Sequence, residues 1–261
     1  MDAMTIYYFF CSIDLVGSTQ FKNELHLWAG CFYNFYQAAT KQFSEAEAHL
    51  GNVSYCNLNI FKLLGDEVLL YREIVSKSEI YKCLNTVKVL SSDIRNEVRS
   101  STKIPIIAEI FEYERTDKNK LLSIKLDIKT TCWLSIGKEI ANGKLMNVRE
   151  YDLLLTRIND IIGPQMDMGF RLSEHAKQGK VLLSPDLALI ALTCKNTQYS
   201  FSLEYNKNCK LRGISKNGKR YPIVYLTDGK CKDVKPKIEK RIGKIYTDQQ
   251  RVIKDLWCNL A

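Results

Sequence analysis

The sequence lacks the features that would place the protein in a membrane or in an oxidising compartment. No apolar run approaches the roughly 20 residues of a membrane-spanning helix, and the first residues lack the basic segment of a signal peptide. The nine cysteines are odd in number, contain no CxxC pair and mostly lie in apolar runs, so we expect buried, reduced thiols. These absences predict a cytoplasmic protein without a membrane partner.

The chain does have the composition of a globular domain with a basic surface. Its 261 residues are 46% apolar and 26% charged, which suits a domain with a normal core, and no repeat or low-complexity segment is present. The net charge is +9, with basic residues concentrated over 207–244. Three interpretations of this charge remain open: a solvated face, a nucleic-acid surface, and a cleft that attracts a nucleoside triphosphate.

Two aspartates at the edges of strand-like runs are the most informative residues. Asp14 lies near the end of a strand predicted over 6–16, and Asp66 lies at the turn between strands predicted over 53–62 and 67–74. If these strands are neighbours, the two carboxylates converge, and converging carboxylates are costly without a cation. Hard divalent cations with oxygen ligands occupy such sites in phosphate chemistry.

The rest of the pattern predicts an α+β domain with helices packed on a mainly antiparallel sheet. An apolar stripe predicts a helix from Ser18 or Thr19 to about Leu50, and a second stripe, interrupted by the polar Ser91, predicts a helix that begins near Ser78. Alternation over 124–129 predicts a half-buried strand. Further helices are predicted over 166–178 and 186–194, and further strands over 104–114, 181–184 and 199–226.

A third segment carries charged residues at the start of a helix. Asp160 precedes Ile161-Ile162-Gly163, and Asp167 and Arg171 share one face of the helix that follows. Taken alone, Asp167 and Arg171 could form a surface ion pair, which contributes little to stability.

In the order of these pieces, the sequence resembles the class III nucleotidyl cyclase catalytic domain. The matching pieces are the aromatic strand with Asp14 and Gly-Ser-Thr, Lys-Leu-Leu-Gly-Asp at 62–66, Asp160-Ile-Ile-Gly with Arg171, and the late segments that begin at Leu211 and Tyr221. The resemblance spans roughly residues 6–227. It implies the class III cyclase fold, which is ferredoxin-like and palm-like. The implied units are a catalytic domain over 1–230, an elaborated hairpin or arm over 115–159, and a basic helical tail over 231–261.

The resemblance implies a role for each matching position. Asp14, Asp66 and the backbone carbonyl of Leu15 would hold two Mg²⁺ or Mn²⁺ ions, which bind the triphosphate and activate the ribose 3′-hydroxyl for attack on the α-phosphorus. Arg171 would stabilise charge on the α-phosphate, since arginine is a permanently charged donor fork. The implied triphosphate-binding positions are Gly17, Ser18, Thr19 and Arg212.

Lys62 and Asp160 match the pair that reads the base in adenylyl cyclases, and Tyr55, on the strand that leads to Lys62, could also face the base. In this family one subunit supplies the metal aspartates and the other supplies the base-reading residues and the arginine. The resemblance therefore implies a homodimer with two shared sites.

The sequence departs from the family pattern at Asp167, where the family usually has an Asn that positions the ribose. The small residues that usually follow are replaced by Met168-Gly169-Phe170. These departures resemble the Pycsar branch, whose compact bacterial pyrimidine cyclases make cyclic UMP or cyclic CMP during phage infection. That implies UTP, or alternatively CTP, as substrate, and a separate effector protein that senses the product. Retention of Lys62 and Asp160 also fits an adenylyl cyclase.

Two further alternatives stay open. Gly-Asp-Glu at 65–67 is similar to the motif of the GGDEF diguanylate cyclases, but Leu64 replaces a glycine of that motif and the Arg171 segment has no counterpart there. A catalytically inactive cyclase domain could instead bind nucleotide or nucleic acid as a regulatory module. Because both aspartates and the arginine are present, we expect an active enzyme and do not expect nucleic acid as its partner.

Overall fold

The computed structural model describes residues 5–19, 22, 28–44, 56–101, 126–139, 152–155, 160–193, 201–212 and 220–227. Several predicted features lie outside these residues: Tyr55, the strand over 104–114, most of the arm over 115–159, the hairpin turn at Asn217-Gly218, and the tail over 231–261. None of the helices within the described ranges combines the length and apolarity of a membrane span.

The described strands form one twisted, mainly antiparallel sheet, as the sequence predicts. The strands are β1 (Thr5–Val16), β2 (Asn59–Leu64), β3 (Glu67–Ile74), β4 (Asp127–Glu139), β5 (Asp152–Leu155), β6 (Asp160–Ile162), β7 (Val181–Leu183), β8 (Ser202–Cys209) and β9 (Tyr221–Thr227). Their order is β2-β3-β1-β4-β7-β9-β8, with β5 paired to the end of β4 and β6 paired to β5. Only the pairings of β4 with β5 and with β7 are parallel among those that the structure describes.

Helices cover both faces of the sheet. The helices within the described residues are α1 (Trp28–Ser44), α2 (Lys77–Ser101), α3 (Pro164–Ser173) and α4 (Pro185–Thr193). Helix α2 packs on β1, β3 and β4 and contacts α1. Helix α3 packs on β4, β5 and β6, and α4 packs on β4, β7 and β9.

The core is centred on β1 and β4, which are covered on both faces. Every side chain from Tyr7 to Ile13 is buried, and between 126 and 137 only Lys129 is partly exposed. On the α3 face the rings of Phe10 and Trp133 stack with their centroids 5.6 Å apart. A β-carbon at position 169 would overlap the Trp133 indole, so Gly169 allows the close approach of α3 to this core.

The apolar stripe predicted for α2 is confirmed. Its five apolar members are at most 3% exposed: Ile80, Leu84, Val87, Ile94 and Val98. Ser91, the polar exception in the stripe, is also buried, with 8% of its surface exposed.

Other boundaries differ from the sequence prediction. The helix predicted over 166–178 is α3, which begins at Pro164 and ends at Ser173. Thr19 is helical, and the described part of the helix predicted to about Leu50 reaches Ser44; residues 45–50 lie outside the described residues. Helix α2 begins at Lys77, so Ser78 lies in its first turn instead of capping it.

The strand predicted over 124–129 is present from Asp127 onward, but it is more buried than predicted, and part of the region assigned to an arm is central. Residues 127–139 form β4, which pairs with β1 along its length. Two charged residues of the alternation, Asp127 and Lys129, are ion-paired. Asp127, only 3% exposed, accepts hydrogen bonds from Arg95 at 2.7 and 3.0 Å and from Arg99 at 2.5 Å.

We expect Asp127→Asn to lower the free energy of unfolding by about 2 kcal/mol, because two arginines then lose a charged hydrogen-bond partner. Burial works to raise the pKa of Asp127, but the hydrogen bonds from Arg95, the Ile128 amide and Arg99 outweigh it and hold this pKa below its usual range. The contribution is therefore present above the unfolded pKa of about 3.9 and is lost as the pH falls through the folded pKa. Urea unfolding at several pH values measures this.

The matched control is Asp93→Asn, which removes an exposed carboxylate from the same helix that carries Arg95. It should leave stability unchanged. Equal effects of the two substitutions at pH 7 would contradict a specific role for Asp127.

Candidate active site

A row of three charged side chains crosses the middle of the sheet. Asp14 lies directly opposite Lys129 of β4 and directly opposite Glu67 of β3, and directly paired residues of antiparallel strands point to the same face. Lys129 Nζ lies 2.7 Å from Asp14 Oδ2. Ser12, two residues before Asp14 on this face, donates a 2.5 Å hydrogen bond to Glu67. The row places two carboxylates and one ammonium group side by side.

Asp66 joins this row from the turn between β2 and β3. Gly65 makes the turn possible, because its φ of +68° is disfavoured for other residues. The turn is fixed to the end of β1: the Leu15 amide donates to the Asp66 carbonyl at 3.0 Å, and Ser18 Oγ donates to Asp66 Oδ2. From the α1 side, the Tyr36 hydroxyl donates to the Gly65 carbonyl.

Asp14, Asp66 and Lys129 line an open cleft of about 760 Å³. Gly17, with a φ of +88°, turns the chain out of β1, and helical structure begins at Ser18. Backbone N–H groups at a helix start attract phosphate oxygens. The predicted residues that line the cleft are Asp14, Leu15, Gly17, Ser18, Thr19 and Asp66, and they are joined by Lys129 and by residues 176–178.

The environment of the cleft disfavours negative charge on its acids. Burial raises the pKa of Asp14 above its usual value, although the ion pair with Lys129 opposes the shift and nearby Asp66 adds to it. Burial likewise raises the pKa of Glu67, with the Ser12 hydrogen bond opposing and Asp14 contributing. Clustered acids with raised pKa values are the surroundings that a bound cation would stabilise.

The donor set fits a magnesium-type ion that shares its ligands with a substrate. Within the described ranges, no three Asp, Glu, His or Cys side chains converge into a complete metal cage. Mg²⁺ usually binds through one or two carboxylates together with water and substrate phosphates. Asp14 and Asp66 supply that number of carboxylates in one cleft, and the predicted Leu15 carbonyl belongs to the same stretch.

The predicted base-reading residues lie in a different cavity, of about 270 Å³. Lys62 Nζ lies 2.5 Å from Asp160 Oδ2. The structure therefore brings this predicted pair together, with Lys62 on the end strand β2 and Asp160 on β6. A bulge in β2 between Ile60 and Lys62 shifts the register there, and bulges re-aim neighbouring side chains. Asp167 lines the same cavity, whereas none of the cleft residues does.

Three predicted residues lie apart from both cavities or outside the described residues. Arg171 is on α3, 48% exposed, and forms an ion pair with Glu174 at 3.1 Å. Arg212 is exposed and follows β8 at the far edge of the sheet. Tyr55 lies outside the described residues. The roles assigned to all three remain predictions.

Two charged residues of this region, Glu67 and Lys129, are not among the predicted site residues. Glu67 directly follows Asp66 in the sequence, and this pair of adjacent acids is a signal that the sequence does contain. Lys129 lies in the alternating segment that was assigned to a half-exposed strand, and only the pairing of β4 with β1 brings it to Asp14.

Comparison with known proteins reveals the fold family. No family model and no curated protein sequence matches this chain. Among solved structures, the adenylyl cyclase CyaB from P. aeruginosa has a TM-score of 0.55 at 13% identity, covering 88% of this chain and 97% of that one. The catalytic core of a rhodopsin-guanylyl cyclase with converted specificity, in complex with ATPαS, has a TM-score of 0.52 at 10% identity, with coverages of 87% and 98%. Adenylate cyclases from Trypanosoma brucei have a TM-score of 0.50 at 12% identity, with coverages of 87% and 92%. The predicted class III cyclase fold is thereby confirmed.

We expect Glu67→Gln to raise the midpoint of thermal unfolding at pH 7 in EDTA. The substitution removes a charge that the fold disfavours and keeps an acceptor for Ser12. Because the folded pKa of Glu67 is raised, the cost of its charge is present above that pKa and absent below the unfolded value of about 4.3. The gain should therefore shrink as the pH is lowered.

Glu73→Gln, at an exposed position of the same strand, is the control and should not change the midpoint. A lower midpoint for Glu67→Gln than for the wild type would contradict this account of the cleft.

Proposed function

We propose that the protein is a nucleotide cyclase, which converts a nucleoside triphosphate to a 3′,5′-cyclic nucleotide and pyrophosphate. The observation that carries the proposal is the cleft in which Asp14, Asp66 and the helix start at Ser18 meet. This arrangement lies on a fold that the chain shares with adenylyl and guanylyl cyclases. Because a fold alone does not determine function, the argument depends on these side chains.

The residues of the cleft suit the cations and the phosphate groups that this reaction requires. Two divalent cations, Mg²⁺ or Mn²⁺, when bound at Asp14 and Asp66, supply Lewis-acid stabilisation of phosphate charge. The amides after Gly17 bind phosphate oxygens. The ribose O3′ gives its proton to water and forms the bond to the α-phosphorus as the bond to the pyrophosphate oxygen breaks. Lys129, which is ion-paired with Asp14 in this structure, supplies positive charge beside the phosphates.

A second subunit would complete the site. Among the described residues, the cleft with Asp14 and the cavity with Lys62 and Asp160 have no lining residue in common, which fits a nucleotide bound between two subunits. An isologous homodimer places the cavity of each subunit against the cleft of the other. In that assembly Arg171, exposed on α3, reaches the α-phosphate of the partner's site and stabilises its charge during transfer.

For the substrate we propose a pyrimidine nucleotide, UTP in preference to CTP, with cyclic UMP or cyclic CMP as product. Asp167 lies beside the Lys62–Asp160 pair and adds a second carboxylate to that cavity. The rings of Phe61 and Phe170 also line it, which favours a small flat base. The cyclic product would act in anti-phage defence through a separate effector protein that binds it.

A purine nucleotide is the second candidate, because the ion pair between Lys62 and Asp160 fits it equally well. This pair presents one donor group and one acceptor group, which also match adenine.

Incubation with UTP, CTP, ATP and GTP in Mn²⁺, with products identified by mass spectrometry, separates the candidates. We expect cyclic UMP as the main product. A cyclic dinucleotide, or no turnover with any of the four nucleotides, would contradict the proposed function.

We expect Asp14→Ala and Asp66→Ala to abolish turnover, because each removes a ligand of the catalytic cations. Arg171→Ala should lower kcat about 10²- to 10³-fold, as expected for loss of one transition-state donor.

Each variant is assayed alone and then mixed with another. Asp14→Ala mixed with Arg171→Ala should regain activity, because one of the two sites in the mixed dimer is intact.

Asp14→Ala mixed with Asp66→Ala is the matched control for the mixing experiment. Both substitutions affect the same half of the site, so every site in that mixed dimer keeps one defect. Activity in this control, or its absence from the Asp14 and Arg171 mixture when dimers have formed, would contradict the shared site.

A further inference from the structure

Two cysteines that the candidate active site does not use lie side by side in the core. Cys83 is on α2, and Cys56 is in the segment that leads into β2. Both are free thiols. Their sulfur atoms are 3.3 Å apart, and a disulfide bond needs a separation of about 2.05 Å. The two sulfur atoms therefore need to approach each other by only about 1 Å for a bond to form.

Helix α2 holds Cys56 beside Cys83. The backbone N–H of Cys56 donates to Thr86 Oγ1 at 3.1 Å, and the Cys56 sulfur lies 3.7 Å from the same oxygen. Thr86 follows Cys83 by three residues, so both side chains project from one face of α2, and both are 0% exposed. Because the two thiols are already ordered next to each other, little conformational freedom is lost when a bond forms between them.

Cys56 is the thiol of this pair that ionises more readily. The hydrogen bond with Cys83 lowers the pKa of Cys56, and burial opposes it. Thr86 and the positive charge of Arg72 lower this pKa further, whereas the charge of Glu79 raises it. Burial and the hydrogen bond with Cys56 raise the pKa of Cys83 well above its usual value. Since the thiolate is the nucleophilic form of cysteine, Cys56 is the attacking thiol and Cys83 the resolving one.

Partly exposed groups lie next to Cys56. Asn57, which follows it in the chain, is partly exposed. The Arg72 side chain, which donates to the Asn57 carbonyl at 3.0 Å, is 27% exposed. A small oxidant therefore has only a short distance to travel from solvent to the Cys56 sulfur. The second buried thiol pair, Cys11 and Cys132, lies directly opposite on β1 and β4, where both strands are covered on both faces. We therefore expect an oxidant to react at Cys56 first.

We propose that Cys56 and Cys83 form a reversible disulfide when the protein meets a hydroperoxide such as hydrogen peroxide. The Cys56 thiolate attacks one peroxide oxygen and becomes a sulfenic acid as the O–O bond breaks, and the hydroxide that leaves takes up the proton released by Cys56. The Cys83 sulfur then attacks the sulfenic sulfur, and its proton leaves with the hydroxyl group as a second water. Two thiols are thereby oxidised to one disulfide and the peroxide is reduced to two waters. Two molecules of a small thiol such as glutathione restore both cysteines and leave as their own disulfide.

The bond would fasten the chain that enters β2 to helix α2. Strand β2 begins at Asn59, three residues after Cys56, and carries Lys62. Among the described residues that line the cleft and the cavity of the candidate active site, neither Cys56 nor Cys83 occurs. The reaction therefore does not depend on the proposed function, and it can be tested whether or not the protein turns over a nucleotide.

The test is peptide mapping of the full-length protein after treatment with hydrogen peroxide. The native protein is oxidised, the remaining thiols are alkylated in denaturant, and disulfide-linked peptides are identified by mass spectrometry without reduction. We expect a link between Cys56 and Cys83 as the main product, the loss of two of the nine cysteines to alkylation, and reversal by glutathione. The thermal midpoint of the oxidised protein should be about 5 °C higher than that of the reduced protein, because the bond closes the loop between these residues.

Single substitutions separate the two roles. Cys83→Ser should stop at the sulfenic acid of Cys56, which dimedone traps, whereas Cys56→Ser should leave Cys83 unmodified. Cys209→Ser, which removes a half-buried thiol on β8, is the matched control and should form the disulfide as the wild type does.

The proposal is overturned if Cys56 and Cys83 stay reduced until the protein unfolds, or if the main product joins Cys11 to Cys132. Disulfides spread at random over the cysteines would overturn it as well. A lower thermal midpoint after oxidation would show that the native structure does not accommodate the bond, and would equally contradict the proposal.

Discussion

The register of β1 between β3 and β4 is the constraint on which both the core and the candidate site depend. It places Lys129, Asp14 and Glu67 in one row and stacks Phe10 on Trp133 on the same face. Because side chains alternate along a strand, a slip of one residue would turn Asp14 toward α2 and remove Phe10 from the aromatic core. The packing of large rings therefore holds the carboxylates at their position, although no ring touches the reaction proposed for them.

The same register places Asp14 and Glu67 where burial disfavours their negative charge. This unfavourable free energy indicates that the cleft binds a ligand. Burial raises the pKa of Asp14 and of Glu67, so folding works against their charge, and Lys129 offsets only part of it. A site selected for stability alone would use neutral side chains in this row. Perturbed, clustered acids at an open cleft are instead typical of functional sites, and here the divalent cations of the proposed reaction would supply the missing positive charge.

The parts of the site that the sequence predicted are those set by local pattern. Asp14 follows from the end of an apolar run and Asp66 from a glycine turn, and both patterns are contained in short segments. Lys129 could not be predicted in the same way, because its position depends on which strand lies beside β1, some 115 residues earlier in the chain. The alternation around Lys129 gave the period of β4 correctly. It gave no information on what covers each face, so a strand buried on both faces was interpreted as half-exposed.

Under the proposed function, the choice between a purine and a pyrimidine cannot come from the Lys62–Asp160 pair itself. The pair offers a donor group and an acceptor group, and each of the four bases carries an adjacent donor and acceptor on its pairing edge. Adenine and cytosine share one order of donor and acceptor and guanine and uracil share the other, so this order does not separate purines from pyrimidines. Selection must therefore depend on ring size and on the third charged group. Phe61 and Phe170 line the cavity and Asp167 adds an acceptor, so under this proposal these three residues, rather than the Lys62–Asp160 pair, would determine whether a purine or a pyrimidine fits.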